Sequence, residues 1–425
     1  MTETSTPQGP HIVVLSSLFP SQVQPGAGPF VRERMFRVGR RLPLAVVAPS
    51  PWFPLQGLIR RFKPGFRPGA PEYEKQRGFE VWYPRFFCVP GLAKRLDGFF
   101  LALGALPRLK ALKAAGRLDI LDAHFAYPDG YAATLLGRWL EVPVTITLRG
   151  TEVRHSQDKA LAPRVRRALQ AASRVFAVSE SLRQVALGLG IAPDHVRVVG
   201  NGVDAECFQP IDHFAARANL GLPNHVPVLV TVGGLVERKG FHRVLECLPV
   251  LRRRHPGLVY LIVGGPSPEG DWTLTLKSMV QQLELADCVR FLGPRPADEL
   301  PIILSAADVF VLSTRNEGWA NVLLEALACG VPVVTTDVGG NAEVICRPEL
   351  GTIVPFGDPV ALVKALDAAL REPWDKSLLR AHAEANAWDT RVDILEAEFR
   401  HLHQQHQRAA SLAGTVGADP HGGGT

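Results

Sequence analysis

Short, unbroken apolar runs recur along this chain, most of them rich in Val, Ile and Leu with no polar residue at every second place. Strands buried on both faces read this way; strands with one wet face alternate. In the N-terminal half the runs cover residues 11–18, 44–49, 80–86, 118–124, 142–148, 174–178 and 196–199. Between them, apolar positions at helical spacing predict amphipathic helices over 130–140, 161–171 and 179–189. The alternation then restarts. Runs at 227–232, 259–263, 289–292, 309–312, 332–335 and 352–354 are separated by helical patterns at 240–254, 273–285, 297–305 and 320–328. Strands alternating with helices predict a parallel, doubly wound α/β sheet, and two successive series predict two Rossmann-like domains.

The break between the series falls near residues 208–212, just after Asn201-Gly-Val-Asp204. The expected organisation is a first domain over 11–208, a second over 209–385 and a C-terminal helix over 386–408. The polar residues 1–10 and the low-complexity tail 409–425 are expected to be disordered. A length of 425 residues suits two domains, and 46% apolar with 21% charged content suits a globular chain.

Charge alters the picture in one place. The net charge is +6, yet residues 58–117 alone hold thirteen Lys and Arg against four acids. Phe62, Phe66, Phe79, Trp82, Phe86, Phe87, Phe99 and Phe100 are interleaved with them. Basic and aromatic residues together suit an anionic surface, and the expected one is a membrane leaflet or lipid diphosphate. The alternative is a solvated loop region over an ordinary core. Nucleic acid is not expected, because no helix-turn-helix, zinc or RNA-binding signature accompanies the charge. No apolar run is long enough to span a bilayer, and the polar start lacks the basic flank of a secretion signal. The six cysteines form no C-x-x-C pair and read as reduced core thiols. A cytoplasmic protein, peripheral at the inner face of the membrane, is expected.

Several familiar chemistries are excluded. Gly26-Ala-Gly28 is followed by Pro29-Phe30-Val31, so the dinucleotide fingerprint lacks its third glycine. There is no G-x-x-x-x-G-K-[ST] loop, H-E-x-x-H or G-x-S-x-G, and no metal-ligand spacing. What remains is three polar, glycine-rich junctions after predicted strands, at the edge where open α/β sheets bind ligands. Val232-Gly-Gly-Leu-Val-Glu-Arg-Lys-Gly240 is the first. Gly233 and Gly234 allow close backbone approach, and Lys239 stands beside a helix start, a natural anion site. Ser313-Thr-Arg-Asn-Glu317-Gly-Trp-Ala-Asn-Val-Leu-Leu-Glu325 is the second. Gly318 permits a turn, and the amides of Trp319, Ala320, Asn321 and Val322 would face a diphosphate. Glu325 lies inside an otherwise apolar helix and needs a partner; a ribose diol is a fitting one, an ion pair to a neighbouring helix the alternative. Thr335-Thr-Asp-Val-Gly-Gly-Asn-Ala-Glu343 is the third, with Asn341 and Glu343 as ligands or helix caps.

The order G-G-L-x-x-x-K-G, then E-G-W with a second glutamate after seven intervening residues, then D-V-G-G-N-A-E, resembles the retaining glycosyltransferases of family 4. Toward the N-terminus the resemblance continues through Gly26-Ala-Gly28, Asp122-Ala-His124, Arg149-Gly-Thr-Glu152 and Asn201-Gly-Val-Asp204. With Pro51-Trp-Phe-Pro54 and Tyr127-Pro-Asp-Gly130, the wording is most similar to teichuronic-acid and exopolysaccharide members. The resemblance implies a GT-B fold, with two domains facing a cleft and a C-terminal helix crossing back to the first. It implies transfer of a sugar from a nucleotide-sugar, with UDP expected, to a hydroxyl of a glycan or polyprenyl-diphosphate-linked acceptor, with retention. It gives Lys239 to the donor phosphates, Glu325 to the ribose, Glu317 to the transferred sugar and His124 to the sugar from the other domain. It places Gly28 in an N-terminal glycine loop and Arg295 beside the base, and it implies no metal or other cofactor. The family's second phosphate cation, an arginine, falls at Gly234, and Arg149 and Glu152 depart from a His-Gly-x-Asp pattern. Two other readings stay open: a GT-B-fold nucleotide-sugar 2-epimerase, which the glutamate spacing and Lys239 disfavour, and a non-catalytic nucleotide-sugar-binding protein.

Overall fold

A computed structural model describes residues 8–62, 66–91, 93–267 and 269–416. The described chain forms two compact units, one from residues up to 177 with 182–199 and 392–416, the other from 178–181 and 200–391. Ten strands belong to the first: β1 (Ile12–Leu15), β2 (Leu44–Val47), β3 (Ser50–Trp52), β4 (Tyr73–Gln76), β5 (Phe79–Trp82), β6 (Arg85–Phe87), β7 (Ile120–His124), β8 (Val144–Leu148), β9 (Arg174–Ala177) and β10 (Val196–Val198). Eight of them make one sheet in the order β10-β9-β8-β7-β1-β2-β5-β4, parallel except for the β4–β5 pair. β1 is central, and its four residues are fully buried, as the non-alternating apolar run requires. The chain builds outward from β1 first on the β2 side and then on the β7 side, so the sheet's topological switch lies between β1 and β7.

The basic stretch is more structured than its composition suggests. The run expected as one strand over 80–86 is split at Pro84, which has no amide to donate: β5 ends at Trp82, and β6 pairs instead with β3 in a separate two-stranded sheet. β4 escapes the hydrophobic pattern because it is a charged edge strand, with Tyr73 exposed and Glu74 buried. The helix Asp97–Ala114 turns Leu101, Ala105, Leu109 and Leu112 inward at helical spacing. Trp82 and Phe86 are core, and the Arg108 guanidinium stacks over Trp82 at 4.9 Å. Lys63 lies outside the described residues.

The second unit holds β11 (Val228–Val232), β12 (Val259–Val263), β13 (Val289–Gly293), β14 (Val309–Leu312), β15 (Val333–Thr336) and β16 (Gly351–Val354). All are parallel, in the order β13-β12-β11-β14-β15-β16. Counted within the unit, this is 3-2-1-4-5-6, the order of dinucleotide-binding folds. The chain builds outward from β11 through β12 and β13, then restarts at β14 on its other side. The switch point, where ligands bind in such sheets, therefore lies between the C-terminal ends of β11 and β14.

The units part at 199/200 and 391/392, not at 208/209 and 385/386. The reason is a backbone zipper within the second unit. The Val203 amide donates to the Asn386 carbonyl and the Trp388 amide to the Val203 carbonyl, each at 3.2 Å. Gly202 permits it, because a Cβ there would stand 2.6 Å from the Trp388 backbone. The long helix Trp388–Val416 then returns to the first unit, laying Val392, Leu395, Phe399 and Leu402 against a core that includes Ile12, Val14, Phe36 and Val46. Each such side chain contributes roughly 1.5–3 kcal/mol on burial. Glu398 anchors the same face by accepting from Arg174 at 3.0 Å and from Arg197. This helix continues to Val416, past the break expected at 408, because the tail opens on Ala409, Ala410 and Leu412, all good helix formers. Residues 1–7 and 417–425, expected to be disordered, lie outside the described residues. Among the described residues no helix is long and apolar enough to cross a membrane.

Candidate active site

Three loops meet at the switch point of the second unit, backbone against backbone. Gly240 has φ +76°, and a Cβ there would fall 1.8 Å from the Ser313 carbonyl oxygen. Gly339, at φ +54°, would place one 1.7 Å from the carbonyl oxygen of Glu317. Any side chain at either position would push the loops apart, so these glycines are what lets residues distant in sequence share one site. Gly233 donates its amide to the Val263 carbonyl at 2.9 Å, which ties the first loop to β12 as well. Gly234 carries no polar side chain into the site; its Cβ position abuts Ser267 at 3.0 Å.

One carboxylate oxygen organises the centre. Glu317 Oε1 accepts from Lys239 Nζ at 2.7 Å, from Arg238 Nη1 at 3.0 Å and from Thr314 Oγ1 at 3.1 Å. Arg238 is held in turn by a two-point pair with Glu269, at 2.5 and 2.6 Å. Glu317 and Lys239 are nearly buried, which strengthens the attraction relative to an exposed pair.

The loop then enters the helix Asn321–Ala328 with its donors unspent. Among the described residues, the amides of Gly318, Trp319, Ala320, Asn321 and Val322 donate to no backbone or side-chain acceptor. Ala320 occupies the cap position without a capping side chain. The Trp319 ring packs on Gly200 and Gly340, and its buried indole N–H has no partner among the described residues. The Asn321 side chain accepts from Asn201 at 2.9 Å. Glu325 sits one turn further in, partly buried and without a hydrogen-bond partner among the described residues. Burial raises its carboxyl to about 7, against the opposing pull of Lys239. Among the described residues, the ion pair to a neighbouring helix is not made.

Other expected residues lie apart from this centre. Asn341 spends its amide N–H groups on Thr335 Oγ1 and the Thr336 carbonyl, at 3.0 and 3.1 Å. Glu343 proves to be a cap, accepting from the amide of Glu180 at 2.8 Å. Arg295 is exposed at the end of β13, bonded to the Leu292 carbonyl and to Glu299.

The first unit has its own polar cluster at its switch point. His124 ends β7 and is fully buried. Its Nδ1 accepts from Arg149 Nη2 at 2.9 Å, and its Nε2 stands 3.2 Å from Asp122 Oδ2. Burial, then the Arg149 charge, hold its pKa down to about 4 against the opposing pull of Asp122, so the ring is neutral at pH 7. Glu152 explains part of the departure at residues 149–152. Its buried carboxylate accepts from the amides of Ala126, Arg149 and Gly150 at 2.8, 3.1 and 2.8 Å, fixing the turn that positions Arg149. Gly28, at φ +67°, caps the helix Pro29–Gly39, with its Cβ position 2.4 Å from the Leu18 carbonyl oxygen.

Sequence reasoning assigned no role to Arg238, Thr314 or Glu269. A cation next to Lys239 in a glycine loop was the available signal for Arg238. Nothing in the sequence pairs it with Glu317, 79 residues away.

Residues 212–388 match the family model described as glycosyl transferases group 1, and residues 60–206 the one described as glycosyltransferase family 4. The chain is 32% identical over 410 residues to TuaC of Bacillus subtilis, named as a teichuronic acid biosynthesis glycosyltransferase, covering 93% of this chain and 98% of that one. It is 30% identical over 341 residues to a D-inositol 3-phosphate glycosyltransferase of Acidothermus cellulolyticus, 74% of each. Among solved structures, sucrose-phosphate synthase from Thermosynechococcus elongatus superposes with a TM-score of 0.74 at 20% identity, over 94% of this chain and 100% of that one. Anabaena HepE in complex with UDP gives 0.66 at 19%, over 94% and 99%. The two parallel-sheet units, the two family matches and the full-length similarity to TuaC together establish that this chain is an enzyme of the GT-B glycosyltransferases, group 1 and family 4.

Proposed function

We propose that the protein transfers a sugar, with retention, from a UDP-sugar to a hydroxyl of a glycan or polyprenyl-diphosphate-linked acceptor in the assembly of a cell-surface polysaccharide. The observation that carries the donor half is the switch point of the second unit: two cations, five unspent amides and an unpartnered carboxylate on adjacent loops. The amides and Lys239 neutralise the leaving diphosphate without metal. Glu325 accepts from the ribose hydroxyls, and Glu317 from hydroxyls of the transferred sugar. Arg295 lies by the base, beside β13. The bond between the sugar's anomeric carbon and the phosphate oxygen breaks as the bond to the acceptor oxygen forms on the same face. The acceptor's proton passes to the leaving phosphate. His124 contacts the sugar as a neutral hydrogen-bonding group. Its Nδ1 is taken by Arg149, while its Nε2, 3.2 Å from Asp122 Oδ2, makes no hydrogen bond among the described residues.

UDP is favoured because HepE, of like fold, was crystallised with UDP and with UDP-glucose, and polysaccharide assembly because TuaC is named for teichuronic acid. The acceptor half includes a peripheral membrane contact. Trp52, Leu55, Leu58 and Phe62 are exposed apolar side chains on and beside the helix Gln56–Phe62, which also carries Arg60 and Arg61. Such a surface suits an anionic leaflet. Co-sedimentation with phosphatidylglycerol vesicles should exceed that with neutral ones, and equal weak binding to both removes the membrane contact. The catalytic reading is tested by release of nucleoside diphosphate from UDP- and GDP-sugars, which Glu325→Ala and Lys239→Ala should abolish.

A further inference from the structure

Three donors from two loops converge on a single oxygen of Glu317, and two of them are cations. Loops built to hold one glutamate would not need Lys239, Arg238 and Thr314 together; that density of donors fits a group carrying more than one negative charge. Glu317 is also the residue the proposed reaction needs at the sugar, and its Oε1, held by three donors, is closed to sugar hydroxyls until those donors are taken by another group. Gly234 contributes no side chain, so Arg238 is the guanidinium beside Lys239 on this loop. Glu269 holds Arg238 by two points, which leaves Nη1 directed at the shared oxygen.

We infer that Arg238 and Lys239 form a two-cation clamp for the distal phosphate of a nucleoside diphosphate, and that Glu317 fills the clamp until the donor arrives. The phosphate displaces the carboxylate, takes both cations, and frees Glu317 for the sugar. Glu317 thereby links phosphate binding to sugar binding. The inference rests on the nucleotide-sugar reading and assigns Arg238 and the resting position of Glu317 within it.

The consequence runs opposite to that of an ordinary binding residue. Removing the charge of Glu317 removes a competitor for the clamp, so Glu317→Gln should bind nucleoside diphosphate more tightly, although sugar transfer falls. Calorimetric titration of the purified full chain uses whichever of UDP, GDP and ADP the wild type binds best, and the matching monophosphate. Glu317→Gln should lower the Kd for the diphosphate at least about threefold. Arg238→Gln should raise it roughly tenfold, the usual scale for one charge-assisted hydrogen bond, and change monophosphate binding less than about twofold. Gly234→Arg combined with Ser267→Gly, which clears the space beside residue 234, should recover part of the loss in Arg238→Gln. Melting curves establish that each variant is folded. Weaker or unchanged diphosphate binding in Glu317→Gln overturns the inference, as does unchanged binding in Arg238→Gln. If the wild type binds no nucleoside diphosphate at all, it is the nucleotide-sugar reading that fails.

Discussion

Replacing Glu325 by Gln should make the protein more stable at alkaline pH while removing its purpose. Burial raises the folded-state pKa of this carboxyl to about 7, from an ordinary value of 4.5. A carboxyl that binds its proton more tightly when folded costs stability once it must ionise. Between those two values the unfolded chain has released the proton and the folded chain has kept it, so stability falls as pH rises through that window. Above pH 7 the full cost applies. A shift of this size corresponds to about 3 kcal/mol, at roughly 1.4 kcal/mol per pH unit. Glutamine has the same shape and no charge, so it escapes the cost. From pH 5 to pH 8.5 the stability of Glu325→Gln relative to wild type should rise by about 2–3 kcal/mol, the rest of the chain cancelling in the comparison. For a unit of this size that is a difference in Tm of roughly 5 °C or more, at about 2–4 °C per kcal/mol. Differential scanning fluorimetry of both proteins at the two pH values measures it. A Tm gap that does not open with pH, or a variant less stable at pH 8.5, would refute the argument that Glu325 is a partly buried carboxylate without a hydrogen-bond partner. On the proposed reading the donor's ribose hydroxyls partner the ionised form, so wild-type affinity should strengthen from pH 6 to pH 8 and that of the variant should not.

Gly339→Ala should destabilise the protein by more than Gly357→Ala and should also weaken donor binding. Both glycines have positive φ, at an expected cost of about 1–2 kcal/mol for alanine, but only at Gly339 does the new Cβ meet backbone, the carbonyl of Glu317. Equal melting losses and equal donor affinity would contradict the role given to Gly339. His124, with its pKa held to about 4, should stay neutral from pH 5.5 to 8, and its imidazole NMR signals should show no titration there. A midpoint near 6.5 would mean that the ring is not packed between Arg149 and Asp122.

The apolar runs made most of the fold legible, because parallel strands buried on both faces need no alternation: β11, β12 and β14 lie where the pattern placed them. The pattern failed where burial is one-sided or local. β4 is a short polar and charged strand, Tyr73-Glu74-Lys75-Gln76, at a sheet edge, and the break at Pro84 sends β6 to another sheet. The compact units part a few residues from the expected boundaries, because Gly202 and Trp388 come together only in three dimensions. In the candidate site, motif spacing identified Lys239, Glu317 and Glu325 individually. It could not show that Lys239 and Arg238 share one oxygen of Glu317, because that depends on Gly240 and Gly339 letting three loops touch. Nor could it show that Glu325 has no hydrogen-bond partner among the described residues, which is a statement about every neighbouring element at once.

The central claim is that the switch point between β11 and β14 binds the diphosphate of a sugar nucleotide and that the protein cleaves it there. The most direct measurement is nucleoside diphosphate released by the purified protein from a panel of UDP- and GDP-sugars, with wild type, Lys239→Ala and Glu325→Ala side by side. The account predicts release by the wild type from at least one of them and loss of that release in both variants. Release that persists undiminished in both variants, or no release by the wild type from any donor with lipid-linked and glycan acceptors supplied, would contradict it.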